Sequence, residues 1–425
     1  MSLSSFLSHL QNHPEINLSA EKLSQAKCKI HWKGTLGSAK GIFSSAVAQQ
    51  CPGHHVFILN DKEDAAYFLN DLQGLYPEDQ RLVFYPASYK VPYQLEEVDN
   101  ANVVARTEAL KKLSGQDNCW IITYPEALFE KVLTKKKLVS NTMKIEVGKT
   151  YSIDFINELL LDYHFDRVNY VYEPGQFSIR GGIVDVFSYA SDTPYRIEFF
   201  GNEVESIRTF NAADQLSISS HQFFSIVPNI QGKMILDGMD SFFQYLNGDI
   251  TIWIDSVERA KQTLKNEFEK AQKIYDSLDQ EIKKTVPSDL FINEKDLVLN
   301  FENLKLVEMG TTSYFENASP INFELIPQPS FNKNFNLLID DLAKNQKNQF
   351  KNYIFSNQAK QIERLYQIFE DIGGDVAFTP IHSALHEGFI CKTLKLYAIQ
   401  IISYLNGITD SDSKKDLEKP NKPLR

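Results

Sequence analysis

Cysteine is scarce in this chain. The four present, Cys28, Cys51, Cys119 and Cys391, are scattered through 425 residues with no Cys-x-x-Cys pair, which excludes a cysteine-built zinc site and a disulfide framework. No run approaches the apolar length of a membrane-spanning helix, and the opening MSLSSFLSHLQNHPEINLSA has neither the basic start nor the apolar stretch of a secretory signal. No membrane contact is expected, and the cytoplasm is the expected location. Positive charge is also short, the formal net charge being −11. A DNA-binding domain draws much of its affinity from Lys and Arg that neutralise phosphates, so little intrinsic DNA binding is expected and protein partners are favoured. The exception, Lys135-Lys136-Lys137, reads as a solvated helix end that complements the helix dipole. Reactive constellations are missing as well. His386-Glu387 lacks the second histidine of a zinc protease, His54-His55 has no companion at ligand spacing, and no Gly-x-Ser-x-Gly elbow is present. No active site and no cofactor are expected.

What is there is apolar content of 43%, enough for several cores and about two to four domains. Short apolar runs near 29–32, 56–59, 82–85 and 120–123 alternate with helical stretches near 63–73 and 101–113. That alternation predicts a parallel sheet with helices on both faces. From 138 the texture changes to one helix near 153–161 and closely spaced strands between 167 and 210, an antiparallel α+β insertion. The α/β pattern resumes with a strand at 250–255 and a helix at 257–279, and a further small α/β domain follows at 335–380. The chain therefore divides into 1–137 and 213–328 as two parts of one α/β lobe, 138–212 as the insertion, 329–399 as the small domain and 400–425 as a polar tail expected to be disordered.

Two segments carry candidate chemistry. The first, Gly34-Thr35-Leu36-Gly37-Ser38-Ala39-Lys40-Gly41, has the length of a phosphate-binding loop and offers Gly34, Gly37, Ser38 and Lys40. A working loop needs a glycine before the lysine, so that the backbone can wrap phosphates, and a Ser or Thr after it to hold magnesium. Here those positions are Ala39 and Gly41, and no strand is read as ending in a paired acidic sequence. The loop reads as a degenerate P-loop NTPase feature kept as scaffold. The second segment, residues 163–187, spaces Arg167 and Arg180 along β-branched and aromatic strands punctuated by Pro174-Gly175 and Gly181-Gly182. A guanidinium on a rigid strand suits bidentate recognition of a carboxylate; the plainer reading is two solvated arginines on an exposed sheet face.

The run Arg167-Val168-x-x-Val171-x-Glu173-Pro174-Gly175-Gln176-Phe177-Ser178-Ile179-Arg180-Gly181-Gly182-Ile183-Val184-Asp185-Val186-Phe187, followed by Pro194-Tyr195-Arg196-Ile197-Glu198-Phe199-Phe200-Gly201, resembles the UvrB-homology module of the bacterial transcription-repair coupling factors. Agreement continues in order through Tyr353-Ile354-Phe355-Ser356 and Leu385-His386-Glu387-Gly388-Phe389, so the resemblance covers roughly residues 20 to 399. It implies a degenerate RecA-like lobe with an inserted α+β domain that docks UvrA, the damage-sensing ATPase of nucleotide excision repair. Arg167 and Arg180 fall on arginines the UvrB pattern uses for that contact, a third falls on Ser178, and Phe177 is either an apolar anchor or core. Asp185 and Glu198 are expected to be structural partners of nearby arginines. UvrB's loop is intact, and its Tyr-rich damage-probing hairpin corresponds to the short acidic stretch 87–101, where Tyr89 and Tyr93 read as rim or core aromatics. After Ile399 the family continues into a polymerase-contacting domain and a motor, whereas Gln400-Ile401-Ile402-Ser403 departs. Contact with RNA polymerase is therefore not expected. The expectation is a non-catalytic adaptor; the rivals are an ATP-binding helicase-like protein and a non-functional fragment.

Overall fold

The computed structural model describes residues 2–25, 27–89, 91–93, 99–115, 118–140, 142–189, 191–227, 239–278, 285–331, 334–372 and 376–401. Its centre is a seven-stranded parallel sheet in the order Ser319–Asn322, Lys29–Lys33, Lys305–Glu308, Ile250–Ile254, His54–Ile58, Trp120–Thr123, Leu82–Phe84. His54–Ile58, Ile250–Ile254 and Trp120–Thr123 are buried at every position. Strands covered on both faces need apolar or internally bonded residues throughout, which is why they read as unbroken apolar runs. Trp32, Phe57, Trp120 and Trp253 interlock at the sheet's centre, with Trp32 edge-on to Trp253 at 5.1 Å and Phe57 stacked on Trp253 at 5.8 Å.

The helices against this sheet begin where side chains can take up free N–H groups. Asp61 accepts from the N–H groups of Glu63 and Asp64 to start Lys62–Leu75, and Ser256 accepts from Arg259 to start Val257–Ser277. Asn293 and Asp296 form a reciprocal capping box at Glu294–Glu302. Two N-terminal helices, Ser2–Leu10 and Pro14–Leu23, have no counterpart in the sequence reading. Phe6 of the first packs edge-on to Tyr353 and Phe355 at 5.1 and 5.2 Å and so ties the chain's start to the small domain.

The inserted domain is a six-stranded sheet ordered Ser217–His221, Glu203–Phe210, Tyr195–Phe200, Ile183–Val186, Gln176–Arg180, Asp166–Arg167, antiparallel except for the last pair. It does not close at residue 212. Ser217–His221 adds an edge strand, and Phe223–Ile226 pairs with Met143–Glu146 to bring the two ends together. The small domain has the strand order Leu325–Pro327, Phe389–Cys391, Leu396–Gln400, Lys351–Phe355, Thr379–Ile381. Leu338, Leu342, Ile354, Leu365 and Tyr397 are among the residues of its own core. Leu385, Phe389, Cys391 and Ala398 belong instead to the core of the large lobe, so the small domain is packed onto that lobe. Its sheet takes in Leu325–Pro327, a few residues before the expected boundary at 329. Among the described residues no helix is long and apolar enough to cross a membrane. Of the tail, residues 402–425 lie outside the described residues.

Candidate functional site

Side chains alternate between the faces of a strand, and the inserted sheet sorts its residues accordingly. Register places Ser178, Asp185, Arg196 and Arg208 in one row across four strands. Arg180 lies two residues beyond Ser178 and Glu198 two beyond Arg196, so both share that polar face. Phe177, Val186 and Tyr195 form the neighbouring row on the opposite face. Phe177 is therefore fully buried, a core residue and not a partner anchor. Ser178 is also unavailable, being 2% exposed with its hydroxyl donating to the Asn169 carbonyl at 3.0 Å. Of the two alternatives for Phe177, strand alternation selects core over anchor, and the partner-binding assignment of Ser178 is corrected because the 168–173 loop covers it.

The arginines divide. Arg167 is exposed at the end of its short strand and makes no hydrogen bond or ion pair among the described residues. Arg180 is 36% exposed and partly committed: Nη2 reaches Asp185 Oδ2 at 2.5 Å, Nη1 donates to the Asn169 carbonyl at 2.7 Å, and its guanidinium lies 5.1 Å from the Tyr170 ring centre. Asp185, with no exposure, also accepts from Arg196 Nε at 2.7 Å and Nη2 at 2.9 Å. That carboxylate holds the Arg196 guanidinium above its usual pKa. Glu198 pairs with Arg208 and accepts from the Ser206 hydroxyl at 2.7 Å. The expected structural roles of Asp185 and Glu198 match these contacts. Register pairs Arg167 with Phe177 and Asp166 with Gln176, so Arg167 sits at the sheet's edge outside this row while Asp166 shares the polar face; there Arg180, Arg196 and Arg208 are balanced by Asp166, Asp185 and Glu198.

The loop at Gly34 to Gly41 is built very differently. Ala39–Ala48 is its helix, and Lys40 Nζ is held by Asp255 Oδ1 at 2.8 Å. Asp255 follows the Ile250–Ile254 strand, is 4% exposed, and also accepts from Asn60 Nδ2 at 2.9 Å. Burial raises its pKa and Lys40 opposes that rise. The sequence reading missed this residue; the strand ITIWI followed by Asp255 was the available signal. The rest of the loop is covered by the chain itself. The Glu387 N–H donates to Ser38 Oγ at 2.9 Å, and the His386 N–H donates to Asp71 Oδ1 at 2.8 Å. The His386 ring stacks on Tyr67 at 3.5 Å. The Glu387 side chain lies across Gly37, whose φ of +44° and lack of Cβ leave it room. Gly34, at φ +80°, sits against the Phe323 carbonyl in the same way. Burial pushes the Asp71 carboxyl up to about 6, opposed by hydrogen bonds from Ser38 and His386. Residues 383–388 thus form a strap over the loop.

In the 87–101 stretch, Tyr89 and Tyr93 each pack on Phe291 at 5.8 Å and are core-edge aromatics. Residues 90 and 94–98, Glu96 and Glu97 included, lie outside the described residues. A cavity of about 440 Å³ between this stretch and the long helix is lined by Tyr89, Pro92, Glu126, Phe129 and Lys270, among others, and contains no residue of either candidate site.

Residues 143–231 match the UvrB interaction domain family, an interval that reaches past 212 as the strand pairing does. The transcription-repair-coupling factor of Bacillus subtilis (strain 168) is 31% identical over 196 residues, 46% of this chain and 16% of that protein. The protein of the same name from Borreliella burgdorferi is 23% identical over 360 residues, 75% of this chain and 31% of that protein. The UvrABC system protein B of Onion yellows phytoplasma is 22% identical over 210 residues, 46% of this chain and 31% of that protein. The chain thus spans from about a sixth to a third of the length of these relatives. It is a relative of the transcription-repair coupling factors that carries a UvrB interaction domain.

Proposed function

We propose that this chain serves nucleotide excision repair as a docking module: the edge of its inserted sheet binds UvrA through Arg167 and Arg180, and the 34–41 loop is scaffold without ATP turnover. The observation that carries the reading is Arg167, an exposed guanidinium with no partner among the described residues, on the edge strand next to the one that carries the one-third-exposed Arg180. Exposed groups of this kind gain a new partner on docking at little internal cost. The scaffold part rests on Ala39 and Gly41, which remove the backbone approach and the magnesium ligand, and on the engagement of Lys40 by Asp255. Calorimetry of UvrA with the wild type and with Arg167→Ala tests the docking. Binding that weakens about tenfold or more in the variant, at an unchanged melting temperature, is the expected result; equal binding refutes it.

A second reading, ATP binding by a helicase-like lobe, is favoured by one observation, the placement of Asp255 at a strand end beside Lys40. Micromolar ATP binding that Lys40→Ala abolishes would establish it in place of the scaffold reading. Duplex DNA binding is expected to be weak and without lesion preference at physiological salt, given the charge of −11.

A further inference from the structure

Burial of Phe177 removes the apolar anchor from the docking face. The loop after Arg167 carries two others, Tyr170 and Tyr172, each 54% exposed. The loop that presents them is tied down along its backbone. The Asn169 carbonyl accepts from Ser178 Oγ at 3.0 Å and from Arg180 Nη1 at 2.7 Å. Val171 is buried with Phe187 and Phe210, and its carbonyl accepts from Gln215 Nε2 at 3.2 Å. Gln176 Oε1 accepts from the N–H groups of Tyr172 and Glu173 at 2.9 and 3.1 Å. Residues 169 and 171 are thus anchored while 170 and 172 remain exposed, on a loop whose ordering has been completed within the domain. Tyr170 also supports the Arg180 guanidinium, which spends donors of Nη1 and Nη2 within the domain and has further N–H groups to offer a carboxylate.

We propose that Tyr170 and Tyr172 form, with Arg167 and Arg180, the anchor cluster of the docking face, and that they enter an apolar depression rimmed by carboxylates on the partner. This deepens the UvrA reading and rests on it. The Arg167 guanidinium, exposed and without a partner among the described residues, calls for a carboxylate on the partner surface. Large rings held on a rigid loop bury apolar area with little loss of freedom, as the tyrosines and arginines that dominate protein interfaces do.

The test measures UvrA affinity for the wild type, Arg167→Ala, Tyr170→Ala, Tyr172→Ala and Tyr172→Phe, with melting temperatures for each. The expected result is a loss of about tenfold or more for each Tyr→Ala, near wild-type binding for Tyr172→Phe, and unchanged melting for Tyr172→Ala. Binding lost in Arg167→Ala but kept in both Tyr→Ala variants overturns the tyrosine assignment and leaves the docking face standing. No binding by the wild type overturns both. Sedimentation of the chain alone adds an arm: a dimer that Tyr172→Ala dissolves overturns the assignment in favour of a second copy of this chain.

Discussion

The inserted sheet and the 34–41 loop both carry basic residues of the kind that bind anions, yet their surroundings give them opposite standing. At the loop, Lys40 is held by Asp255 and the glycines are covered by Phe323 and Glu387. On the sheet, Arg196 is fully engaged, Arg180 partly, and Arg167 is left exposed. The comparison teaches that residue type and spacing nominate a site, while the intramolecular partners decide whether it has anything left to offer. A motif whose cation is already neutralised and whose backbone is already covered is structure.

The largest expected effect is at the buried hub of the sheet. Asp185→Ala leaves Arg180 and Arg196 facing a vacancy where a carboxylate was, and breaking a buried pair costs about 3 to 5 kcal/mol. Denaturant unfolding should show that loss together with loss of UvrA binding; a cost below about 1 kcal/mol would mean that the face does not depend on its hub.

Next is Asp71 beneath the strap, whose folded pKa of about 6 lies above the ordinary aspartate value of 3.8. The folded protein therefore keeps a proton that the unfolded chain has lost. The stabilisation is full below about pH 4 and is lost as pH rises through about 6, a change on the order of 3 kcal/mol. Asp71→Asn cannot titrate, so its stability relative to wild type should rise between pH 4 and 6 and then level off. Parallel curves would show that the strap does not bury this carboxyl.

Lys40→Ala should cost less, about 1 to 2 kcal/mol, because Asp255 retains the Asn60 hydrogen bond and can take up a proton. UvrA affinity should not change, and a calorimetric difference would link the two regions that the comparison separates. Smallest in stability is Arg167→Ala, expected within about 0.5 kcal/mol of wild type by chemical unfolding, although it is a principal variant for binding. A larger cost would reveal a structural role for Arg167.

The parallel strands of the large lobe were legible because complete burial requires runs such as His55-Val56-Phe57-Ile58 and Ile250-Thr251-Ile252-Trp253. The edge strand Ser217–His221 was not: Ser217, Ile218, Ser219 and Ser220 are all exposed, and no alternation marks them. Missing that strand moved the expected boundary of the insertion to 212. Arg167 and Arg180 stood out by position, but the inward turn of Phe177 depends on which face of the sheet meets the core, and pairing register decides that. Asp255 and Asp71 acquire their partners from far away in sequence; the strand before Asp255 marks its position, but nothing local names Lys40 as its partner or buries Asp71. The strap's residues, His386 and Glu387, were noticed only as an incomplete metal motif and as part of the family resemblance, neither of which points to a cover over the loop.

The Glu387 to Ser38 contact joins positions 349 residues apart. During synthesis at about 5 to 20 residues per second, Ser38 leaves the ribosome roughly 17 to 70 s before its cover does. The strand that leads into the loop gains both its neighbours only when Ser319–Asn322 has been made, so a folded lobe holds its loop bare for just the last, shorter part of that interval. The lobe before and after the strap closes therefore presents different surfaces at its loop.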